Sequence, residues 1–546
     1  MADLLSIISL MFLIAAPFLL LAKIFNVSTA PALIVAGLFV GYFVEEAIML
    51  DIARLGIALL VFTSTVRIQT KDFHTEVTDP ELAAVGQLLI VGLIGCAAGL
   101  FLGYPPGQAT FIGLTVSMSS SLMGSTLFYT RYMDYVHDWL SETIHSIQDF
   151  IALFLLMVVA AGTFQINAIA EHLGYGVILL VFATIINRYL YDLIGKFARH
   201  SSEIMLIMTV AILLFFLGAA QLMGTSIVVG AFAAGMAINY QPVKYSEVIN
   251  GLDSINDFFA AIFFIIIGAL VTLPSLEVVG LTALLVGIAV IVKPIVMIWI
   301  LNKKKYERRT ATLTGFNLDQ VGEFALIFVI EALILGLIIP EIFEAVILAA
   351  AITLVTTSFT RYYNEQIFRT LAFLGVLGDH GQTLQKYSCV PPGLNNHIVI
   401  VGYGQYARRL VEVCEEYDAD YVVIESSPWK INELEKKCDG FVFGDVFEPD
   451  TREMANFSEA ELVISTADFW PISDELVQYS DQLKVILRTK DRRRAHELLD
   501  RGAYYVAVSD LLAADHLEEL FHSLVDDKED LEALRERSAE MLGKEV

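Results

Sequence analysis

Apolar runs separated by short polar breaks fill about the first 360 residues, after which the pattern changes. Thirteen such runs can be counted, at approximately 4–23, 27–46, 51–68, 82–104, 108–130, 142–163, 169–190, 204–222, 224–240, 255–273, 278–301, 310–337 and 341–361. A helix rises about 1.5 Å per residue, so ~20 apolar residues cross a bilayer. Several runs are too short, or too interrupted by glycine and polar residues, to be plain spanning helices. Two interruptions fall at corresponding places in the two halves, Ser117 to Thr126 and Thr314 to Glu323. Paired discontinuous helices point to an inverted-repeat transporter with its site near the midplane. The exposed amides and carbonyls of a break are tolerated at that depth only where they line a cavity or meet an ion.

Past Arg361 hydropathy falls, and the segment to Asn396 reads as a helix followed by a linker. A different periodicity then begins. His397 to Val401 is a short apolar run fit for a buried strand, followed by Gly402-Tyr403-Gly404-Gln405-Tyr406-Ala407 and a helical pattern to Glu416. A second apolar run, Tyr421 to Ile424, ends at Glu425. This is GxGxxA opening a βαβ unit with an acid just over 20 residues on, the dinucleotide fingerprint in its structural context. Further strand candidates at 440–443, 462–465, 484–487 and 504–507 alternate with helical stretches, which predicts one doubly wound parallel sheet. The expected organisation is a membrane domain over 1–362, a linker over 363–395 and a Rossmann-like domain over 396–546.

Composition agrees, with 56% hydrophobic residues in the chain. Charge is uneven: residues 394–546 carry 17 Lys/Arg against 34 Asp/Glu, a net of −17 out of −26 overall. An acidic soluble part argues against a nucleic-acid partner. The four cysteines, Cys96, Cys389, Cys414 and Cys438, have neither CxxC nor zinc-ligand spacing, so no disulfide framework or structural metal is expected. Met1-Ala2-Asp3 lacks the positive start of a signal peptide, and the first apolar run is expected to be a permanent span. Threading the spans alternately puts Lys23, Arg67, Lys71, Arg131, Arg188, the cluster from Lys303 to Arg309, and Arg361 on one side, against Arg54 on the other. The positive-inside rule makes the first side, and the C-terminal domain, cytoplasmic.

Asp149, beside Gln148 in the otherwise apolar stretch 139–162, is the sharpest functional candidate. A lone intramembrane carboxylate is expensive, and usually marks an ion or proton path. Entry near Trp139 sets Asp149 ~15 Å deep, with Glu142, His145 and Ser146 on roughly its helical face. The plainer alternative is a structural acid paired with a cation, for which Lys293, inside an apolar span and followed by Pro294, is the candidate. Both readings merge if a cation or proton releases Asp149 from that ammonium. Gln148 supplies an amide oxygen, and Ser119, Ser120, Ser121 and Thr126 hydroxyls, all hard ligands suited to an alkali ion; close helix packing explains small polar residues equally well. In the second break Asn317, Asp319, Gln320 and Glu323 crowd into seven residues, so Asp319 or Glu323 is expected to meet Lys293, face water or stay protonated. In the soluble part, the glycine loop with Gln405 and Tyr406 opens a helix N-terminus suited to a phosphate, and Glu425 suits ribose hydroxyls. Asp445 and Arg488 stand at strand ends where they can line the same crevice. No substrate-binding domain is evident, so catalysis is not expected.

At these residues the chain resembles the Kef-type potassium/proton antiporters of the monovalent cation:proton antiporter-2 family. The resemblance rests on Gln148-Asp149, the serines 119–121, the runs Gly230 to Gly235 and Phe263 to Gly268, and Gln320 to Ala325. The soluble half resembles the first lobe of a regulator-of-potassium-conductance (TrkA-N-like) domain at Gly402, Gly404, Glu425, Gly444-Asp445 and Arg488. Ala407 stands for the third glycine, and Asp319 and Val321 alter the usual glycine-rich break. The resemblance implies a homodimer in the cell's inner membrane, a core domain moving against a dimerisation domain, and Asp149 as carrier of cation and proton. It implies a regulatory adenine nucleotide, NAD(H) or AMP/ATP, at the cytosolic domain. The rival expectations are sodium/proton exchange, a nucleotide-gated potassium channel, and a membrane-anchored dehydrogenase.

Overall fold

The computed structural model describes residues 4–25, 27–44, 46–67, 79–119, 136–163, 165–191, 193, 202–238, 246–272, 274–304, 306–373, 388–427, 430–525 and 535. They form two compact units, one helical and one built on a parallel sheet.

The helical unit contains, in order, α1 (Leu4–Ile24), α2 (Thr29–Val40), α3 (Glu46–Arg67), α4 (Asp79–Phe101), α5 (Pro106–Ser117), α6 (Val136–Val159), α7 (Ile166–Ile185) and α8 (Ser202–Leu222). There follow α9 (Ile227–Ala237), α10 (Ser246–Ala269), α11 (Leu276–Gly287), α12 (Lys293–Lys303), α13 (Arg308–Asn317), α14 (Glu323–Ile334), α15 (Pro340–Tyr362) and α16 (Asn364–Phe373). Among the described residues seven helical stretches are long and apolar enough to cross a bilayer, and four more are apolar but shorter. With the interrupted span over 308–334 these match twelve of the intervals read from hydropathy, and of the interval 108–130 the described residues cover 108–119. The second interruption appears where the polar residues predicted it, with α13 and α14 separated by 318–322, and α5 stops at Ser117, where the first was predicted to begin. The residues that follow the first break, Ser120, Ser121 and Thr126 among them, lie outside the described residues.

The helices sort into two groups by packing. One joins α1, α2, α3, α7, α8, α9 and α10; the other joins α4, α5, α11, α12, α13, α14 and α15, and α15 also packs on α2. The glycines explain the close contacts. A Cβ on Gly37 of α2 would lie 2.0 Å from the Ile265 carbonyl oxygen, and one on Gly268 of α10 would lie 2.0 Å from that of Ile34. Between α4 and α5, a Cβ on Gly113 would sit 2.2 Å from the Gly92 carbonyl oxygen. Lipid tails give no hydrophobic reward for helix association, so backbone approach through small residues supplies the contact. The runs Gly230–Gly235 and Phe263–Gly268 are therefore packing seams, Gly230 against Phe216 and Gly235 against Thr65.

Pro294 shapes the element that matters most for the site. It has no N–H for the helical ladder, and the turn before it widens to a π-turn over Ile288–Val292, with Lys293 N reaching the Ile288 carbonyl. Lys293 follows this bulge and is fully buried. Helix α16, the helix anticipated past Arg361, is tied back by an Arg309–Glu365 ion pair of 3.1 Å.

The second unit is a six-stranded parallel sheet of order β3-β2-β1-β4-β5-β6, with β1 Ile398–Val401, β2 Tyr421–Glu425, β3 Phe441–Phe443, β4 Leu462–Ser465, β5 Lys484–Thr489 and β6 Tyr505–Val508. Order reverses between β1 and β4, the switch point at which doubly wound sheets bind ligands. All the predicted strands are present.

Candidate ion site and nucleotide crevice

The two breaks touch. Met118 leaves the helical region at φ −77° and ψ 140°, which ends α5 and frees its carbonyl. That oxygen accepts from Gly322 N at 3.2 Å and from Lys293 Nζ at 2.9 Å. Lys293 Nζ also donates to the Gln320 carbonyl at 2.6 Å and to Ser119 Oγ at 3.4 Å. Ser119 Oγ donates to the Leu318 carbonyl at 3.2 Å, and Val321 N donates to Thr353 Oγ1 at 3.1 Å. Backbone groups stranded by two broken helices thus satisfy one another, with one ammonium between them.

This corrects the expected Lys293–Asp149 pair. Among the described residues the hydrogen bonds of Lys293 go to Met118, Ser119 and Gln320 rather than to Asp149, and the carboxylate that acts on it is Asp319. Asp319 is buried and accepts from Thr357 Oγ1 at 2.5 Å, with Arg361 and Lys293 as its cationic neighbours. Glu323 is buried in the first turn of α14, where a negative charge suits the positive end of the helix dipole.

Asp149 is buried on α6, one residue beyond Gln148. Gln148 makes the junction with Ser119: its Oε1 accepts from Ser119 N at 3.1 Å, while its Nε2 donates to Gln87 Oε1. Gln87 Nε2 in turn donates to the Ser117 carbonyl at 2.9 Å. Both ends of the Gln148 amide are engaged, and the oxygen keeps one lone pair for a cation. Gln148, Ser119 and Lys293 therefore meet at one place, with Asp149 beside Gln148 and Asp319 beside Lys293.

The polar stripe on α6 differs from the expected one. Glu142 is exposed and Ser146 half-buried, whereas His137, Ser141 and His145 are buried with Asp149. Asn317 Nδ2 donates to Ser141 Oγ at 3.0 Å, and Arg361 Nη2 donates to the Asn317 carbonyl at 3.3 Å. Gln87, Ser141, Thr357 and Arg361 were not singled out as site residues. Gln87, a lone amide in an apolar span, carried the only strong signal.

In the second unit Gly402, at φ +86°, turns the chain out of β1, and Gly404 precedes the helix Gln405–Glu416 with no side chain capping its first amides. A Cβ on Gly404 would meet nothing within 4 Å. A helix start with open space at Gly404 fits a phosphate. Thr466 Oγ1 holds the loop by donating to the Gly402 carbonyl at 2.9 Å. The Arg488 guanidinium donates to the Thr466 carbonyl at 3.0 Å and lies 4.2 Å from the centre of the Tyr406 ring. Glu425 ends β2 and accepts from Tyr403 N at 2.6 Å, Ser427 N at 2.8 Å and Lys430 Nζ at 2.7 Å. Asp445 is buried after β3, its Oδ1 accepting from Phe447 N at 3.2 Å. Gly402, Gly404, Gln405, Tyr406, Glu425 and Arg488 gather at the switch point, and Asp445 follows β3 with one oxygen bonded within its own loop. Beneath the loop, burial pushes the Tyr403 phenol above its ordinary value and the Cys438 thiol up to about 11.

The end of α5 and the break between α13 and α14 are joined by a buried lysine, in a helical unit that also buries an aspartate in an apolar span, which fits a secondary cation/proton antiporter, here with a Rossmann-like domain in the same chain. The chain belongs to the sodium/hydrogen exchanger family: the model for the transmembrane sodium/hydrogen exchanger matches residues 8–363, and the TrkA-N domain model matches 398–509. It is similar to a protein named as a cation/proton antiporter, YbaL of Escherichia coli, at 23% identity, covering 90% of this chain and 91% of that one. It is 25% identical to a protein of Alkalimonas amylolytica named as a K(+) efflux antiporter, KefB, covering 85% of this chain and 72% of the other. Among solved structures, the sodium proton antiporter MjNhaP1 from Methanocaldococcus jannaschii aligns with a TM-score of 0.49 at 12% identity, covering 67% of this chain and 99% of that one.

Proposed function

We propose that the protein exchanges potassium for protons, that Asp149 holds either a proton or the cation in turn, and that an adenine nucleotide at the Rossmann-like domain gates the exchange. The observation that carries this reading is the burial of Asp149 beside Gln148, whose amide is fastened to the first break. A carboxylate at such a junction binds one positive charge at a time, which couples two opposed fluxes with no covalent step. Potassium is favoured by the relatives named as K(+) efflux antiporters. Ser119, Ser120 and Gln148 contribute oxygens; Lys293, Asp319 and Glu323 hold the breaks in register. In this reading residues 1–362 form the transport domain of an inner-membrane homodimer, 363–395 a linker and 396–546 a cytoplasmic regulator.

The test is a proteoliposome assay of pH change driven by potassium or sodium gradients, with wild type and Asp149→Asn. Potassium-driven alkalinisation that vanishes in the variant supports the reading. Retained pH-dependent exchange removes Asp149 as carrier, and an equal response to sodium removes the potassium assignment.

A further inference from the structure

His145 is buried, and among the described residues its Nε2 has no hydrogen-bond partner. Buried polar atoms are nearly always paired, and one left open inside a transport domain has a reason when it meets something transient, such as a water or a moving proton. The ring's other nitrogen is engaged with the Ser141 backbone, so only Nε2 is available.

Its position gives that atom a role. His137, Ser141, His145 and Asp149 are spaced four apart on one helix, which stacks them along one face. The stripe starts at the Val136 end of α6, where His137 Nε2 lies 3.6 Å from Asp138, a side chain 43% exposed. It then passes Ser141, whose hydroxyl donates to the His137 carbonyl at 2.6 Å and accepts from Asn317. It ends one turn past His145, at Asp149. The charged groups that face the ring are Arg361 from α15 and Lys293 from α12, with Glu142 and Asp149 on its own helix and Asp319 beside the two cations.

From this arrangement we infer that His145 relays protons between the Val136 side of the membrane and Asp149, an inference that rests on the carrier role given to Asp149 above. Nε2 takes a proton from water on that side and passes the same proton to the Asp149 carboxylate as the cation leaves. One helical turn separates the two side chains, roughly 6 Å between Cβ atoms, a gap that one water spans. Arg361 and Lys293 face the ring, so a proton arriving there is passed on rather than stored. Proton and cation then reach Asp149 by different last steps.

The experiment separates those steps in the full-length protein in proteoliposomes. Potassium-for-proton exchange and isotopically traced potassium-for-potassium exchange are measured for wild type, His145→Gln and Asp149→Asn. His145→Gln is expected to slow the proton-coupled mode about tenfold and to leave the potassium-only mode within twofold, which also shows that the variant is folded. Equal loss of both modes, or loss of neither, overturns the relay. Asp149→Asn is expected to lose both modes; if it keeps proton exchange, the carrier reading fails whatever His145 does.

Discussion

The Lys293 ammonium sits 2.6 Å from the Gln320 carbonyl and 2.9 Å from that of Met118, so one side chain bolts the two helix breaks together. Lys293→Met keeps the length and removes one donor from each of two buried carbonyls, of which that of Met118 keeps Gly322 N. Each such loss costs about 1–3 kcal/mol, so the variant is expected to melt markedly lower in detergent and to transport poorly. Thermal unfolding of purified protein checks this. An unchanged melting temperature would mean that the breaks hold without the bolt.

Gln87 is the hinge pin of the other junction, donating to the Ser117 carbonyl and accepting from Gln148. Gln87→Leu leaves both of those groups unpaired, and the Gln148 amide is then free to turn away from Ser119. A destabilisation of about 1–3 kcal/mol should accompany a rise in the potassium concentration for half-maximal exchange. Stability lost with unchanged potassium dependence would show that Gln148 orientation does not matter to the cation.

Gly268 and Gly37 let α10 and α2 touch through their backbones. A valine at Gly268 would put its Cβ 2.0 Å from the Ile34 carbonyl oxygen, a contact that only backbone displacement relieves. Overpacking of this kind costs about 1–3 kcal/mol or more. Gly268→Val is expected to reduce the yield of folded protein, whereas Gly280→Val, at a glycine with open space around it, should not. Comparing the two by size-exclusion chromatography in detergent isolates the effect of contact from that of losing a glycine.

What could be read ahead of the structure follows from where the information resides. Span positions, the two breaks and the βαβ unit were legible because burial in lipid or in a sheet core writes itself into residue type and period. Asp149 stood out because its cost is intrinsic to the residue. The partners of Lys293 did not, since they are backbone carbonyls and a carbonyl has no residue identity. The α6 stripe was misjudged by one position at Ser141: neighbouring residues differ by about 100° around a helix, so Glu142 and Ser141 both fit a broad polar face until packing chose one. Asp445 is expected at the crevice because it follows a strand, and one of its two oxygens is bonded within its own turn.

Gly404 offers the cleanest test of the nucleotide crevice. Its φ of −102° is open to any residue, and a Cβ there meets no atom within 4 Å. Gly404→Val should therefore leave the unliganded domain as stable as before while filling the space where a phosphate would approach the helix amides. A nucleotide present at 100 times its dissociation constant stabilises a folded state by about 2.7 kcal/mol. Wild type should melt higher in the presence of NADH, AMP or ATP, whichever the crevice accepts, and the variant should show no shift with any of them. Glu425→Gln turns one of the two acceptor oxygens into a donor, so it weakens either the Tyr403 and Lys430 contacts or that of Ser427 and tests whether this carboxylate shapes the crevice. A thermal shift retained in Gly404→Val would move the ligand elsewhere, and an unliganded melting temperature lowered by the valine would mean that the cradle is less open than its geometry implies.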